Sequence, residues 1–212
     1  MTYNAINRNT VTKEAGVVGY DKKMLTYAIP DNLQVSSSGG AKAESYYRGL
    51  VLGDSSTAGD QAALEGMGQK GNPLNWEGAD LVKMEYLFSF PNSSIPKTDD
   101  DIVIGVCDEN DASRNSPVMG YDAADDKFRV GSNTARPGNI YDAYNHLTFL
   151  KIEADYRKEE TRFTVKRGGN VLKSTINAVK AGAGRSGIAS YRSNGNSQRV
   201  YIQMFGMTII HE

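Results

Sequence analysis

The chain has 212 residues, 39% of them apolar, enough for one domain with a full core and too few for two comfortable ones. Its 24 Lys and Arg balance 25 Asp and Glu, so no field of one sign draws it to nucleic acid or an anionic membrane. The lone cysteine, Cys107, excludes an internal disulfide, and its apolar setting predicts a buried, inert thiol.

In chain order, the opening MTYNAINRNTVTKEAG is polar and lacks the apolar h-region of a secretory signal. No run reaches the roughly 18 apolar residues of a membrane span. A soluble protein without membrane insertion is therefore expected. Residues 1–35 read as an N-terminal arm or first strands, and 36–212 as a single β-sandwich domain. VVGYDKKMLTYAIPDNLQV holds two short apolar pieces, SSSGGAKA reads as a linker, and SYYRGLVLGDSS as a strand. Within the loop that follows, DQAALEGM suggests one helical turn.

From residue 79 onward the pattern is clearer. In ADLVKMEYLFSF, Val82, Met84, Tyr86, Phe88 and Phe90 share one face and Lys83, Glu85 and Ser89 the other, the mark of a half-buried strand. DIVIGVC is short and apolar on both faces, so it predicts a strand in the sandwich interior. LTFLKIEAD places Leu150, Ile152 and Ala154 against Lys151, Glu153 and Asp155. After the turn YRKEE, TRFTVK alternates again. Arg167-Gly168-Gly169-Asn170 is a hairpin signal, because Gly and Asn accept positive φ cheaply. GIASYR and RVYIQMFGMTII complete the set. Short strands at even spacing with Gly/Asn turns predict an all-β chain, an antiparallel β-sandwich or barrel.

The order HLTFLKIEADYRKEETRFTV, GGN, VLKST, GIASYR, YIQMFGMTII resembles the second half of concanavalin A-like lectin and laminin-G-like jelly rolls. The resemblance spans Ala79 to Ile210 and rests on pattern, not on a signature motif. It implies a jelly-roll, concanavalin A-like sandwich. The fold hosts sugar-binding modules, polysaccharide-cutting enzymes and virion surface proteins, so function must come from the residues.

Glucan hydrolases of this fold carry Glu-x-Asp-x-Glu or Glu-x-Asp-x-x-Glu on one strand, since two carboxylates must flank the bond. Here Glu153, Asp155 and Glu159 are spaced Glu-x-Asp-x-x-x-Glu. The extra residue sets Glu159 beyond the turn, so a solvated hairpin rim is expected. The lyase-like members need His, Tyr and Arg on one sheet face. His146 in DAYNHLTF is the candidate, with Tyr141, Tyr144 and Asn145 nearby. Acidic turns hold oxygen donors suited to calcium, with Asp108, Asn110 and Asp111 as the candidate ligands. Turn chemistry accounts for the same residues without a metal, and no other cofactor is indicated.

Sugar sites present aromatic faces to pyranose rings and ring them with polar side chains. The candidates are Trp76, Tyr121, Tyr141, Tyr144, Asn145, His146, Tyr191 and Arg192. The expectation is a non-catalytic β-sandwich for glycan recognition or adhesion, or for virion surface structure of the phage decoration or fibre type. Its partners would be a glycan, other assembly proteins or a second copy of the chain in a homo-oligomer. It would act outside the cell or on a virion surface. A polysaccharide lyase or glycoside hydrolase of the same fold is the alternative.

Overall fold

Alternation at period two dictates most of the architecture in the computed structural model, which describes residues 17–24, 33–66, 79–90, 101–107, 118–122, 127–131, 138–142, 147–177, 187–193, 195 and 197–210. These residues form strands β1 (Val17–Met24), β2 (Leu33–Ser38), β3 (Lys42–Tyr46), β4 (Gly49–Gly53), β5 (Gln61–Gly66), β6 (Leu81–Ser89), β7 (Asp101–Cys107) and β8 (Val118–Asp122). There follow β9 (Lys127–Gly131), β10 (Gly138–Asp142), β11 (Thr148–Asp155), β12 (Glu160–Arg167), β13 (Asn170–Asn177), β14 (Gly187–Arg192) and β15 (Arg199–Ile210). Among the described residues there is no helix.

The strands make two antiparallel sheets, an eight-stranded one ordered β13-β12-β11-β6-β15-β4-β3 and a seven-stranded one ordered β10-β9-β8-β7-β14-β5-β2. The eighth strand of the larger sheet, β1, runs beside β15. β15 serves two partners along one edge: Arg199–Ile202 pair with β4, and Met204–Ile210 with β1. The sheet strand β1 thus lies within the segment 1–35, and β2 runs across the expected division at residue 35. Of the segment 1–35, residues 1–16 and 25–32 lie outside the described residues.

The core sits between the sheets. From the larger sheet come Leu50, Leu52, Met84, Tyr86, Phe88, Ile152, Phe163 and Phe205; from the smaller, Leu64, Ile102, Ile104 and Tyr191. β6 and β11 alternate buried and half-buried residues throughout, as expected from their patterns. β7 pairs with β14 on one edge and β8 on the other, and its residues 102–105 are buried, matching the reading of DIVIGVC. Tyr86 spans the gap between sheets, its hydroxyl donating to the Ile188 carbonyl at 3.0 Å.

Two local expectations differ from the structure. The segment read as a helical turn is β5, held between β14 and β2 with Ala62, Ala63, Leu64 and Glu65 buried. Ala, Leu and Glu favour helices only weakly, and pairing on both edges overrides that preference. The linker-like SSSGGAKA is the end of β2, a tight turn at Gly39-Gly40 and the start of β3, a crossing from one sheet to the other. Gly39 has φ 62°, and a Cβ there would lie 1.9 Å from the Asp60 carboxylate that accepts from Gly40 N. The Gly168-Gly169 hairpin forms as predicted, with φ 57° at Gly168.

Candidate functional site

Outward positions of β6, β11 and β12 gather charge at one end of the larger sheet. Here Lys83, Glu153, Asp155, Lys158, Glu160 and Arg162 help line a cleft of about 190 Å³. Its carboxylates already have partners. Glu153 pairs with Lys151 at 2.8 Å and Lys83 at 3.9 Å; Asp155 pairs with Lys158 at 3.1 Å and Arg157 at 3.6 Å; Glu160 pairs with Arg162. Burial pushes the Asp155 carboxyl up, but hydrogen bonds and charge from Lys158, with the Arg157 charge, outweigh it and hold it below its ordinary value. Arg162 holds Glu160 low in the same sense. A glycosidase acid needs the opposite shift, a carboxyl raised toward neutrality. Glu159 is exposed in the turn at φ 53°, outside the cleft lining. Glu153 and Asp155 form an ion-paired hairpin rim, and Glu159 stands apart in the turn, as the spacing predicts.

A second depression lies at the opposite edge of the same sheet, and strand register explains it. Lys42 stands opposite Gly53 and Gly53 opposite Arg199; Glu44 opposite Val51 and Val51 opposite Tyr201; Tyr46 opposite Gly49. Long side chains on β3 and β15 therefore flank a middle strand whose outward positions are Gly49, Val51 and Gly53. The result is a trough of about 270 Å³. Both glycines are required where they stand. Gly49 has φ 116° and Gly53 φ 125°, and a Cβ would come within 2.5 Å of the Ile202 carbonyl or 2.2 Å of the Gln198 carbonyl.

Tyrosines rim the trough. The two-residue turn Tyr47-Arg48 joins β3 to β4, leaving Tyr46 41% and Tyr47 62% exposed. Single polar-tipped aromatics on a surface are ordinary, but two adjoining ones beside a concave floor form a platform. Tyr46 donates its hydroxyl to Glu44 at 2.7 Å, and that bond raises its pKa above the ordinary phenol value. The Arg48 guanidinium lies over the Tyr47 ring, 5.4 Å from its centroid. At the far end Asp54 accepts from Lys42 at 2.6 Å and Ser197 at 2.9 Å, with Arg199 at 3.7 Å. Burial pushes the Asp54 carboxyl up, yet these donors and charges prevail and hold it low.

Of the residues expected from sequence, none that is described lines this trough. Tyr191 is a core residue, 1% exposed, with its hydroxyl donating to the Ser55 carbonyl at 3.3 Å. It offers no face to a ligand, because its strand turns it between the sheets. Arg192 is exposed on β14, opposite Gln61 and Asp101. Tyr121 on β8 stands opposite Phe128, and Phe128 opposite Tyr141 on β10, so register brings these two tyrosines into one cross-strand row of the smaller sheet. Trp76, Tyr144, Asn145, His146 and the calcium candidates Asp108, Asn110 and Asp111 lie outside the described residues. Among the described residues no three His, Cys, Asp or Glu side chains converge on a cation site. The same residues include no helix long and apolar enough to cross a membrane.

Tyr46, Tyr47, Asp54, Arg199 and Tyr201 were absent from the sequence candidates. Their signal was the pairing of KAESY with GLVLG, a polar outward row beside one built of Gly, Val and Gly, and it becomes visible only once SYYRGLVLGDSS is divided into two strands.

No protein-family model matches the chain, and no curated protein matches it. Solved structures do. Lectin I from Ulex europaeus, in complex with the methyl glycoside of α-L-fucose, superposes with a TM-score of 0.62 at 9% identity, covering 92% of this chain and 99% of its own. The Lotus tetragonolobus seed lectin gives 0.61 at 12% identity, covering 92% and 100%. The exoplasmic/lumenal domain of VIP36, in its Ca²⁺/Man3GlcNAc-bound form, gives 0.55 at 9% identity, covering 89% and 88%. Likeness at such low identity speaks for architecture. The chain has the concanavalin A-like jelly-roll sandwich of these lectins.

Proposed function

We propose that this protein is a non-catalytic glycan-binding module whose sugar contact is the tyrosine-rimmed trough on the larger sheet. The observation that carries this reading is the pair of exposed rings, Tyr46 and Tyr47, beside a floor at Val51, which β4 sets between Gly49 and Gly53. Pyranose rings stack on such faces, and Asp54, Lys42 and Arg199 supply polar groups at the margin. The fold supports it too, since lectins of the same sandwich are seen with α-L-fucoside, GalNAc and Man3GlcNAc. The ion pairing of Glu153, Asp155 and Glu160 favours binding over hydrolysis at the hairpin rim. Trp76, Tyr121, Tyr141, Tyr144, Asn145, His146 and Arg192 are proposed as a second set of sugar contacts. Calcium at Asp108, Asn110 and Asp111 belongs to the same proposal, as does action outside the cell.

The test is a glycan array probed with the purified protein, in calcium and in chelator, with hits followed for product release. Binding without cleavage is expected, and Tyr46→Ala or Tyr47→Ala should weaken retention about tenfold or more with little change in melting temperature. Retention unaffected by either change but lost in Trp76→Ala or Tyr144→Ala would move the site to that second set of residues. Released product would reinstate the lyase or hydrolase reading. Silence across the array would overturn glycan binding and favour the virion-assembly role, with its protein partners.

A further inference from the structure

Resting on the glycan reading of the trough, we infer that its ligand is an acidic sugar, a uronic or sialic acid, whose carboxylate is received by Arg48. The argument is one of charge balance. The lining contains the cations Lys42, Arg48 and Arg199 and a single carboxylate, Asp54. That carboxylate is engaged by Lys42 at 2.6 Å and faces Arg199 at 3.7 Å. The neighbouring Glu44 accepts the Tyr46 hydroxyl. Arg48 has no ion pair among the described residues, and its charge is set over the Tyr47 ring at the lip of the trough.

A neutral sugar offers that charge only hydroxyl acceptors, whereas a carboxylate meets it with an opposite charge and two oxygens. In a uronic acid the carboxylate is attached directly to the pyranose ring, so a ring stacked against the turn tyrosines carries its negative charge to the neighbourhood of the next residue. The guanidinium fork matches a carboxylate through two parallel hydrogen bonds, which a point charge cannot reproduce. Contact with the Tyr47 ring orients that fork before a ligand arrives, so less side-chain freedom is lost on binding. Aromatic face and cation are consecutive residues of one tight turn, presented at a fixed mutual position by a hairpin anchored at Gly49.

The experiment measures binding of the full chain to oligogalacturonate, oligomannuronate and 3′-sialyllactose, each beside its neutral counterpart: the two methyl-esterified oligomers and lactose. At least one acid should bind about tenfold or more tightly than its neutral form, and the preference should shrink as salt is raised. Arg48→Gln should abolish the preference and Arg48→Lys should retain part of it, both at unchanged melting temperature because the side chain is exposed. Equal binding of acidic and neutral forms, a preference that survives Arg48→Gln, or no binding of any acid overturns the inference. The glycan reading is judged separately, by whether sugars found on the array still depend on Tyr46 and Tyr47.

Discussion

Asp54 ties three elements together through one carboxylate. It accepts from Lys42 of β3 and from Ser197 just before β15, while its own amide donates to the Gln198 carbonyl. Its backbone has φ 68°, a region Asn and Asp enter more readily than other residues. Asp54→Asn therefore probes the charge with the backbone kept. Because the folded carboxyl is held below its ordinary value, its contribution is complete above that value and is lost as pH falls through the depressed one. The variant should be less stable than the parent at neutral pH, and the gap should close below about pH 4 in urea melts across an acid series. Thr161 shows the reverse economy: its hydroxyl is fully buried with no partner among the described residues. Thr161→Val keeps the shape and removes the stranded oxygen. Stability should rise by about 1 kcal/mol, read as a higher urea midpoint at unchanged slope.

At the level of elements, β4 shows how glycine placement makes a site. Its inward residues Leu50 and Leu52 are core, and its ends are glycines pressed onto the β15 backbone. Gly53→Ala would force a side chain into the Gln198 carbonyl at a φ of 125°, and the carbonyl belongs to a backbone that cannot rotate away. A loss of about 3 kcal/mol is expected in equilibrium unfolding, with weaker glycan retention because the hairpin carrying Tyr46 and Tyr47 must lift. A change of under about 0.5 kcal/mol would show that β4 and β15 separate easily. The hairpin β11–β12 lies at the other extreme. Its turn accepts Glu159 at positive φ, and its cross-strand charges Lys83, Glu153 and Arg162 stand in one row, a solvated ladder that keeps an outward sheet face polar.

Across the whole molecule, the two sheets are joined by packing and by a few polar bridges. Tyr86 is fully buried on β6 and bonds the Ile188 carbonyl of β14 at 3.0 Å, while its ring meets Phe205 at 5.1 Å. Tyr86→Phe isolates the polar part of that bridge and should cost about 1 kcal/mol; Tyr86→Ala removes the ring as well and should cost about 4 kcal/mol. A neutral outcome for Tyr86→Phe in thermal or urea melts would mean the bond is replaced by water and the sheets are held by apolar contact alone. Tyr191 makes the matching bridge from the smaller sheet to the Ser55 loop, and so belongs to the core instead of the surface.

The sequence by itself determined the all-β class, the strands β6, β7, β11, β12, β14 and β15, the Gly168-Gly169 hairpin and the polar rim around Glu153. These depend on period-two burial and on turn chemistry, which neighbours along the chain decide. Only the tertiary structure made DQAALEGM a strand, because two flanking strands outweigh the helix preference of its residues. Only it turned Tyr191 inward and cut a trough beside Tyr46. That trough depends on Lys42 meeting Gly53 and Gly53 meeting Arg199, a register between residues far apart in sequence. Local patterning says which side of a strand is wet; which strand lies beside it, and how tall its side chains stand, is settled by the sheet.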